Sequence, residues 1–420
     1  MQTTSVPSYY TKFGCIGTKC EDTCCSGWVV GIDEQTYKKY QQSDHAVLAP
    51  LFRVALVQNA VGSDVSANAF GRLSMKPDRS CHFLQPDKLC AIQKNLGAEM
   101  LSTTCKLYPR HLNQFGSQRE IALGVSCPEA ARLVLLPEEP ISFHLVALDT
   151  AADDQKFTAY RFPIQSDGDP SQIAILNDFR AVVIAILQCR TISIGARMMV
   201  LGFLLDDANG VVTAETFSHA SELSPILTSY ATFLSSPAEL EAQFDQIRPN
   251  IARKLEVMTQ LISGSLTAGA TARFNECLID AAEGLDGTPL DEAGMGGDTL
   301  TRYAQSHAAF YEPFFKDKQH IFENYLVNQV IYRLFPFTRG TYLALYRELL
   351  LNLSVVQVLL VGMSATYKGL DEARVIQLFQ SFARKSDHNP SHLDTLTKAL
   401  GGGDTDSFFD FMWLLKDVHV

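Results

Sequence analysis

The sequence predicts a mainly α protein, in which an N-terminal, cysteine-rich, irregular α+β metal or cluster domain precedes an all-helical domain. Eight of the ten cysteines fall within the first 127 residues, so the front of the chain is chemically distinct. Behind residue 170, apolar side chains recur at three- and four-residue steps, the period of an amphipathic helix. Proline and glycine interrupt that pattern and predict several separate helices.

Length and composition place the domain boundaries. A chain of 420 residues is longer than one hydrophobic core usually supports, so more than one domain is expected. The run Pro137-Glu138-Glu139-Pro140 ends the front domain, and the Asp-, Gly- and Pro-rich stretch before Pro170 is typical of a linker. The predicted organisation is a cysteine-rich domain over residues 1–140, a linker over 141–170 and an all-helical domain over 171–420.

Short elements are predicted between the cysteines. Residues 1–30 are rich in turns, and the apolar run over 28–32 predicts a strand. Asp33 is well placed to cap a helix that ends near Gln41. A further helix is expected over 50–58, and residues 61–80 are predicted to be irregular.

Two of the cysteines coincide with predicted helix starts. An apolar face at helical spacing predicts a helix from Asp87 to Met100, with Cys90 in its first turn. Unpaired amides and the helix dipole favour a thiolate over a thiol at such a position. A strand over 121–125 leads to a helix that begins at Pro128, so Cys127 is expected to cap it.

The back of the chain is predicted to be helical throughout. Ser171 caps a first helix, whose buried stripe includes Phe179 and Val183. A broadly buried helix is expected where two adjacent apolar rows run from Leu326 to Phe335. The helices after the first are expected at about 191–207, 223–234, 237–263, 268–283, 299–311, 317–335, 340–361, 370–386 and 404–416.

Composition and charge restrict the location and partners of the protein. The sequence shows neither a run of about 20 apolar residues, as a membrane span requires, nor the features of a secretory signal. A cytoplasmic protein with no membrane partner is expected. Net charge is −11, but residues 1–140 carry 14 Lys and Arg against 13 Asp and Glu, so the back of the chain holds the acidic excess. That sign disfavours nucleic acid and attracts a cationic partner, such as a lysine-bearing protein.

The front cysteines predict a metal or iron–sulfur site. In a reducing compartment disulfides do not persist, so clustered cysteines are expected to act as thiolate ligands. Four thiolates satisfy either tetrahedral zinc or a 4Fe-4S cluster, and the count does not choose between them. Neighbouring side chains diverge, so Cys24 and Cys25 are not expected to bind one small ion together. The candidate ligands are Cys15, Cys20, Cys24, Cys25, Cys81, Cys90, Cys105 and Cys127.

Other motif-based chemistries find less support in the sequence. The radical S-adenosylmethionine signature places three cysteines at a four-then-three step; Cys20 and Cys24 make the first step, but Gly27 occupies the third position. The glycine-rich runs at 294–297 and 401–403 lack the strand that precedes a phosphate-binding loop. These runs are predicted to be connections between helices.

The cysteine motifs resemble those of the flagellin lysine-N-methylase family, which shares a cysteine-rich zinc- or iron-chelating domain. The resemblance covers roughly residues 9–135 with high specificity. It rests on these motifs: Cys15-Ile16-Gly17-x-x-Cys20-Glu21-Asp22-Thr23-Cys24-Cys25-x-Gly27-Trp28, Cys81-x-Phe83-Leu84 with Cys90, Thr104-Cys105-x-x-Tyr108-Pro109-Arg110, and Ser126-Cys127-Pro128-Glu129-Ala130-Ala131-Arg132.

This resemblance implies an enzyme that transfers methyl groups from S-adenosylmethionine to lysines of flagellin, with an iron–sulfur cluster held by the front cysteines. Tyr108 and Arg110 are the candidate catalytic residues because they adjoin the predicted ligand Cys105. No residue is assigned to S-adenosylmethionine. The alternative is a non-catalytic zinc- or iron-binding module with a helical protein-interaction domain.

Overall fold

The computed structural model describes most of the chain. The described residues are 3–59, 70–115, 118–147, 170–212, 219–262, 271–285, 297–337, 341–387 and 408–416. Two compact units are resolved: Met1–Leu133 with Ser142–Pro163, and Val134–Ile141 with Ile164–Val420. Residues 134–141 thus belong to the second unit, although the sequence places 134–140 in the front domain. Most of the predicted linker, 148–169, lies outside the described residues.

The front unit combines short strands and short helices. The strands are β1 (Thr3–Pro7), β2 (Val30–Ile32), β3 (Leu56–Gln58), β4 (Gly71–Leu73), β5 (Arg110–Phe115), β6 (Gln118–Leu123) and β7 (Phe143–Ala147). The helices that begin in this unit are α1 (Glu34–Gln41), α2 (Leu48–Ala55), α3 (Ala91–Leu96), α4 (Thr103–Leu107) and α5 (Pro128–Leu135). The predicted irregular α+β character is present.

A four-stranded sheet organises the two ends of the front unit. Its strand order is β5-β6-β1-β7, with β1 parallel to β6 and antiparallel to β7. Strands β5 and β6 form an antiparallel hairpin, in which Arg110 pairs with Leu123. The sequence predicts only β6 of this sheet. Strand β1 is short and largely polar, and it is stabilised by partners more than a hundred residues away, which a local pattern does not reveal.

A three-stranded sheet of order β2-β4-β3 forms the second layer of the front unit. The predicted strand at 28–32 is present as β2, and Asp33 caps α1 by accepting a hydrogen bond from the amide of Thr36. The predicted helix over 50–58 is wrong in its last turn. Residues 56–58 leave the helix and pair with β4 because their backbone completes that sheet.

The helix predicted from Asp87 begins later and ends earlier. Helix α3 starts at Ala91 with Cys90 as its N-cap residue, and it ends at Leu96. Gly97 adopts a φ of +90°, which glycine tolerates and which stops the helix. Asp87 instead accepts from the amide of Leu89 and pairs with Lys94. Cys105 lies in its own short helix, α4, which Ser102 caps.

The second unit is a helical bundle. Its helices are α6 (Pro170–Leu187), α7 (Ile194–Asn209), α8 (Leu223–Phe233), α9 (Pro237–Asp245), α10 (Ile251–Leu261), α11 (Ala272–Leu285), α12 (Gly297–Ser306), α13 (Glu312–Phe315), α14 (His320–Tyr332), α15 (Tyr342–Tyr367) and α16 (Glu372–Ser386). A π-helical turn, His307–Tyr311, joins α12 to α13, and a 3-10 segment covers Phe408–Leu415. Over the described residues from 171 onward, the predicted all-helical character is confirmed.

Three predicted helices differ in detail. The expected helix over 237–263 is divided into α9 and α10 at residues 246–250, where Asn250 caps the second helix. The helix expected over 299–311 changes to π geometry at His307, ahead of Pro313 in the next short helix. The described part of the helix expected over 404–416 is 3-10 rather than α. Residues 404–407 lie outside the described part.

Helix α15 is the central helix of the bundle. Its 26 residues are long and apolar enough to cross a membrane, which corrects the expectation that no run approaches that length. However, 83% of its most apolar window is buried inside the protein, as in the core helix of a globular domain. Residues around Leu349 and Val356 are almost fully buried. Packing against neighbouring helices accounts for its apolar composition.

Candidate functional site

The cysteines at the front of the chain come together around Cys25. The Cys25 thiol forms hydrogen bonds with Cys24 and Cys90, and these bonds raise its pKa well above the ordinary value. The backbone carbonyl of Cys25 accepts from the amide of Cys81 at 2.8 Å. The first and second cysteine motifs therefore meet directly.

The environment of Cys90 favours the thiolate form. The hydrogen bond from Cys25, together with amides of Gln93 and Ile92 at the start of α3, lowers the pKa of Cys90 to about 6. Its position as N-cap explains this effect, since the first amides of a helix point at the cap residue and favour a negative charge there. The sequence-based expectation of a thiolate near this helix start agrees with the geometry.

Cys81 and Cys105 lie beside the same group. Burial, with a smaller contribution from negative charge at Cys90 and Cys24, raises the pKa of Cys81 to about 11 and that of Cys105 to about 12. Both side chains belong to or pack on the hydrophobic core that contains Phe83. Helix α4 holds Cys105 in place because Thr104 donates to the carbonyl of Gly31 in β2 at 2.9 Å.

Cys20 and Cys127 form the other flank. Burial is the main cause that raises the pKa of both thiols, and the pKa of Cys127 reaches about 12. Negative charge at Cys24 also contributes to the rise in both. Amides of Ala130 and Glu129 hydrogen-bond the Cys127 thiol at the start of α5. The expected cap is therefore present.

Charged side chains tie the Cys20 loop to its surroundings. Arg132 on α5 pairs with Glu21 and also donates from Nε to Glu129 at 2.9 Å. The Lys88 ammonium donates to the carbonyls of Cys20 and Glu21 at 3.3 and 3.2 Å. The loop that carries Cys20 is thus held from two sides.

Three cysteines lie apart from this group. Cys15 is exposed, and the thiols that shift the pKa values of other front cysteines are those of Cys20, Cys24, Cys25, Cys81 and Cys90. Cys189 lies against Thr191, and Cys277 is buried beside Ser381, both in the helical unit. We define the thiol cluster as Cys20, Cys24, Cys25, Cys81, Cys90, Cys105 and Cys127.

The side chains of the thiol cluster are of the right type to bind a metal ion or an iron–sulfur group, but their positions do not form a coordination site. All seven cysteines are free thiols, and soft thiolates are the ligands of zinc and of iron–sulfur clusters. Across the described ranges, however, no three His, Cys, Asp or Glu side chains are grouped to hold a metal ion. Cys25 hydrogen-bonds two other thiols, but the seven thiols are not arranged as the ligands of one ion.

Tyr108 contacts two residues that lie close in sequence to cysteines of the thiol cluster. Its hydroxyl lies 3.2 Å from the hydroxyl of Ser126, the residue before Cys127. Its ring lies 5.3 Å from that of Trp28, whose indole N–H donates to the carbonyl of Cys24 at 2.7 Å. Tyr108 therefore connects the segments that carry three of the thiols.

Arg110 is oriented by a different contact. It is the first residue of β5, and its guanidinium lies 4.9 Å from the centre of the Phe13 ring. Phe13 is two residues from Cys15, so Arg110 faces the chain that enters the first cysteine motif. The structure brings Tyr108, but not Arg110, into hydrogen-bond contact with a neighbour of a clustered cysteine.

A second candidate site is a cavity of about 310 Å³ inside the helical unit. Phe244, Tyr311, Phe315 and Phe322 supply aromatic walls, and Lys416 lies among them. Glu312, Lys316 and Gln319 are exposed residues on its lining. We call this space the aromatic cavity.

None of these residues is among the catalytic or ligand candidates predicted from the sequence. The cavity is assembled from five segments that are far apart in the chain, so no spacing reveals it. The π-helical turn at His307–Tyr311 was the available signal, because a proline soon after a helix, here Pro313, often accompanies irregular geometry.

Comparison with known proteins identifies a family and several relatives of this chain. Residues 180–414 match the family model of the FliB lysine N-methylase C-terminal domain. The flagellar biosynthetic protein FliU of Salmonella muenchen is 32% identical over 134 residues, which cover 32% of this chain and 77% of that protein. Proteins named lysine-N-methylase from Salmonella typhimurium and Salmonella choleraesuis are each 31% identical over 134 residues, 32% of either chain. No solved structure matches the chain significantly.

Proposed function

Because the chain belongs to the FliB lysine N-methylase family, we propose that it transfers methyl groups from S-adenosylmethionine to lysine side chains of flagellin. The match spans about a third of the length of the named methylases, so the substrate is taken from the relatives' flagellar names and from the cysteine motifs. A non-catalytic metal-binding module is not favoured, since those relatives are named as methylases. A cytoplasmic location before flagellin export is part of the proposal.

One observation supports a cofactor in particular. Seven thiols from four separate motifs share one region of a chain whose family resemblance implies an iron–sulfur group. We propose that Cys24, Cys81, Cys90 and Cys105, with Cys25 as neighbour, provide the ligands, and that Cys20 and Cys127 flank them. Such a group, or zinc in its place, would supply soft-ligand redox or structural chemistry. No reaction step is assigned to it.

The proposed reaction requires the acceptor lysine to lose its proton, because only the neutral amine has a lone pair that can attack. The ε-amine attacks the methyl carbon, a C–N bond forms as the C–S bond breaks, S-adenosylhomocysteine leaves, and the amine loses one proton. A lysine ammonium with a pKa of about 10.4 costs roughly 4.6 kcal/mol to deprotonate near pH 7. Desolvation in an apolar site and a nearby proton acceptor both reduce that cost.

We assign Tyr108 a positioning role in this reaction. Its bond to Ser126 and its contact with Trp28 keep the Cys24 and Cys127 segments in register. Arg110, on the neighbouring strand, is proposed to contact the substrate through its remaining donors, since a guanidinium over one ring face still presents N–H groups at its edge.

The decisive experiment is a methylation assay. Protein purified and reconstituted with iron and sulfide without oxygen is incubated with S-adenosylmethionine and unmethylated flagellin. Lysine-containing peptides are expected to gain mass in whole methyl increments. Absence of any gain, under both reducing and non-reducing conditions, would show that the proposed activity is wrong.

Metal analysis shows whether the front domain holds an iron–sulfur cluster or a structural zinc ion. Iron with acid-labile sulfide and a brown colour supports the cluster, whereas colourless protein that retains zinc supports a structural metal site. Protein that methylates flagellin without either metal would contradict the cofactor proposal while leaving the methylase proposal intact.

A further inference from the structure

We propose that the aromatic cavity binds the methyl donor S-adenosylmethionine and its product S-adenosylhomocysteine. The inference rests on the proposed function, which requires a donor site that the sequence does not locate. The amino-acid carboxylate of the ligand is assigned to Lys416, and its adenine ring to the aromatic walls. Every residue involved belongs to the helical unit.

The size of the cavity suits a small molecule rather than a single side chain. Its volume of about 310 Å³ lies within the range of ligand pockets in proteins. Since a water occupies about 30 Å³ in the liquid, the space equals roughly ten waters. A lysine side chain adds only four atoms beyond its Cβ and would leave most of the space unfilled. The nucleoside and amino-acid parts of the donor occupy it more completely.

The charge in the cavity selects an anionic group. The Lys416 side chain is only 3% exposed, and its ammonium lies 3.9 Å from the centre of the Phe244 ring. Ser193, Ile194 and Gly195, at the amino end of α7, belong to the same wall, and Glu241 already caps this helix end by accepting from the amide and hydroxyl of Ser193. The Lys416 ammonium is therefore the group assigned to an incoming anion. A second ammonium, such as an incoming lysine, is repelled here, whereas a carboxylate is attracted.

The present partner of Lys416 leaves room for such a carboxylate. The ammonium donates to Asp245 at 3.0 Å, but that side chain is 63% exposed. A lysine ammonium has three N–H donors, and an ion pair with an exposed carboxylate is weak. A ligand carboxylate can therefore share the ammonium with Asp245 or replace it. Glu312, exposed on the lining, is available to the α-ammonium of the ligand.

The aromatic walls are held in place by close packing. Tyr311, Phe315 and Phe322 form a continuous series of ring contacts, with centroids 4.7 and 4.8 Å apart in successive pairs. A Cβ on Gly195 would overlap the ring of Phe244, so glycine at this position allows that ring to cover Lys416. Flat rings of this kind stack with an adenine base. The walls and the cation together match a ligand that carries a ring at one end and a carboxylate at the other.

Binding measurements on the full-length protein test the inference. S-adenosylhomocysteine is titrated by calorimetry, because it is not consumed, and 5′-methylthioadenosine serves as a ligand that keeps the nucleoside but lacks the carboxylate. Lys416→Met is expected to weaken S-adenosylhomocysteine about tenfold or more and to leave 5′-methylthioadenosine nearly unchanged. Gly195→Ala displaces the Phe244 ring and is expected to weaken both ligands. Lys318→Met, which breaks an exposed pair with Glu372, is the matched control and changes neither.

The location is checked independently of the variants. Ultraviolet cross-linking of radiolabelled S-adenosylmethionine is expected to label peptides that contain Tyr311, Phe315 or Phe322. Labelling confined to the front unit, or unchanged affinity in both Lys416→Met and Gly195→Ala with normal circular dichroism, overturns the inference. Cross-linking to the cavity peptides that is blocked by an excess of a lysine peptide, but not by an excess of S-adenosylhomocysteine, also overturns the inference.

The two proposals fail in different ways. Wild-type protein that methylates flagellin and binds the donor, while both cavity variants bind it with unchanged affinity, removes only the assignment of the cavity. Wild-type protein that neither binds the donor nor methylates flagellin removes the proposed function and the cavity assignment together.

Discussion

Arg333 shows how one buried cation sets the charge state of two carboxylates. Its guanidinium lies 2.7 Å from Glu348 and 3.7 Å from Asp387, and the Asp387 side chain is only 1% exposed. Burial raises the pKa of Asp387 from its ordinary 3.8 to about 6, because the shared cation compensates only part of the cost of a buried charge. Asp387 therefore titrates above the range of ordinary carboxyl groups.

The pKa of Asp387 predicts a loss of stability as pH rises. Well below pH 3.8 the group is protonated in both states, and between about pH 4 and 6 it is ionised in the unfolded chain while the folded protein retains the proton. The free energy of unfolding should fall by roughly 3 kcal/mol over that window from this group. Asp387→Asn should flatten the slope, as measured by urea unfolding at pH 4.5 and 7.5. Asp317→Asn, at an exposed site, is the control, and an equal slope in all three proteins would contradict the prediction.

The cysteines are expected to differ in their effect on metal content. Serine at Cys24, Cys90 or Cys105 should lower bound iron or zinc to less than half, because each removes a thiol from the thiol cluster. Cys277→Ser should leave metal content unchanged, since that thiol is buried beside Ser381 in the helical unit. Metal is measured by plasma mass spectrometry on reconstituted protein. Equal loss in all four variants would indicate misfolding rather than a site.

Cys15→Ser tests whether Cys15 is a metal ligand, as the sequence motif predicts, or lies outside the site, as the structure indicates. The motif includes Cys15 as a ligand, whereas the structure leaves it exposed and outside the thiol cluster. Metal content close to that of the wild type is expected. A loss as large as that of Cys90→Ser would show that the first motif rearranges when metal binds.

At the scale of elements, the helical bundle depends on one close helix crossing. Helices α11 and α15 meet where Gly284 and Gly362 face each other's backbone. A Cβ on Gly362 would overlap the carbonyl of Ala281, and one on Gly284 would overlap the carbonyl of Gly362. The hydroxyl of Thr366 donates to the carbonyl of Asp280 at 2.6 Å at the same crossing. Backbone cannot yield as a flexible side chain can, so the crossing requires both glycines.

Gly362→Ala is therefore expected to destabilise the helical unit. The added methyl forces the two helices apart, at a cost of about 1–3 kcal/mol, as for other overpacked sites. Gly210→Ala provides the matched control, because its Cβ would lie 3.4 Å from the carbonyl of Asp207 and its φ of −71° suits alanine. Thermal unfolding followed by circular dichroism measures both. A melting temperature of Gly362→Ala equal to that of Gly210→Ala would be inconsistent with the crossing.

At the scale of the whole molecule, charge is distributed unevenly along the chain. Residues 1–140 are nearly neutral, and the remainder carries the entire acidic excess that gives −11 overall. An acidic protein attracts a partner that presents lysines, and salt screens the attraction beyond about 10 Å at 0.1 M.

Substrate capture should accordingly depend on salt. The ratio kcat/KM for methylation of flagellin is expected to fall severalfold between 50 and 300 mM salt, while kcat changes little, since steering acts on encounter rather than chemistry. Initial rates at several substrate concentrations separate the two constants. A ratio independent of salt would show that the acidic excess does not contribute to recognition.

Local patterns predicted the parts of the fold that depend on neighbours in sequence. The helical stripe of Phe179 and Val183 is buried as its period indicates, and Asp33 and Cys127 stand at the helix starts where their chemistry favours them. Pro128 after a cysteine was enough to locate α5. These features depend on residues three or four positions apart, so they can be predicted from a single sequence.

The sequence by itself determined the helical class of the back of the chain and the thiol chemistry of the front. Only the tertiary structure decided that β1 pairs with β6 and β7, that Cys15 stands outside the thiol cluster, and that Phe244 and Lys416 share a cavity with Tyr311. The reason is physical. Periodicity and capping depend on local backbone geometry, whereas strand pairing, thiol convergence and cavities depend on contacts between distant segments, which packing of the whole chain alone establishes.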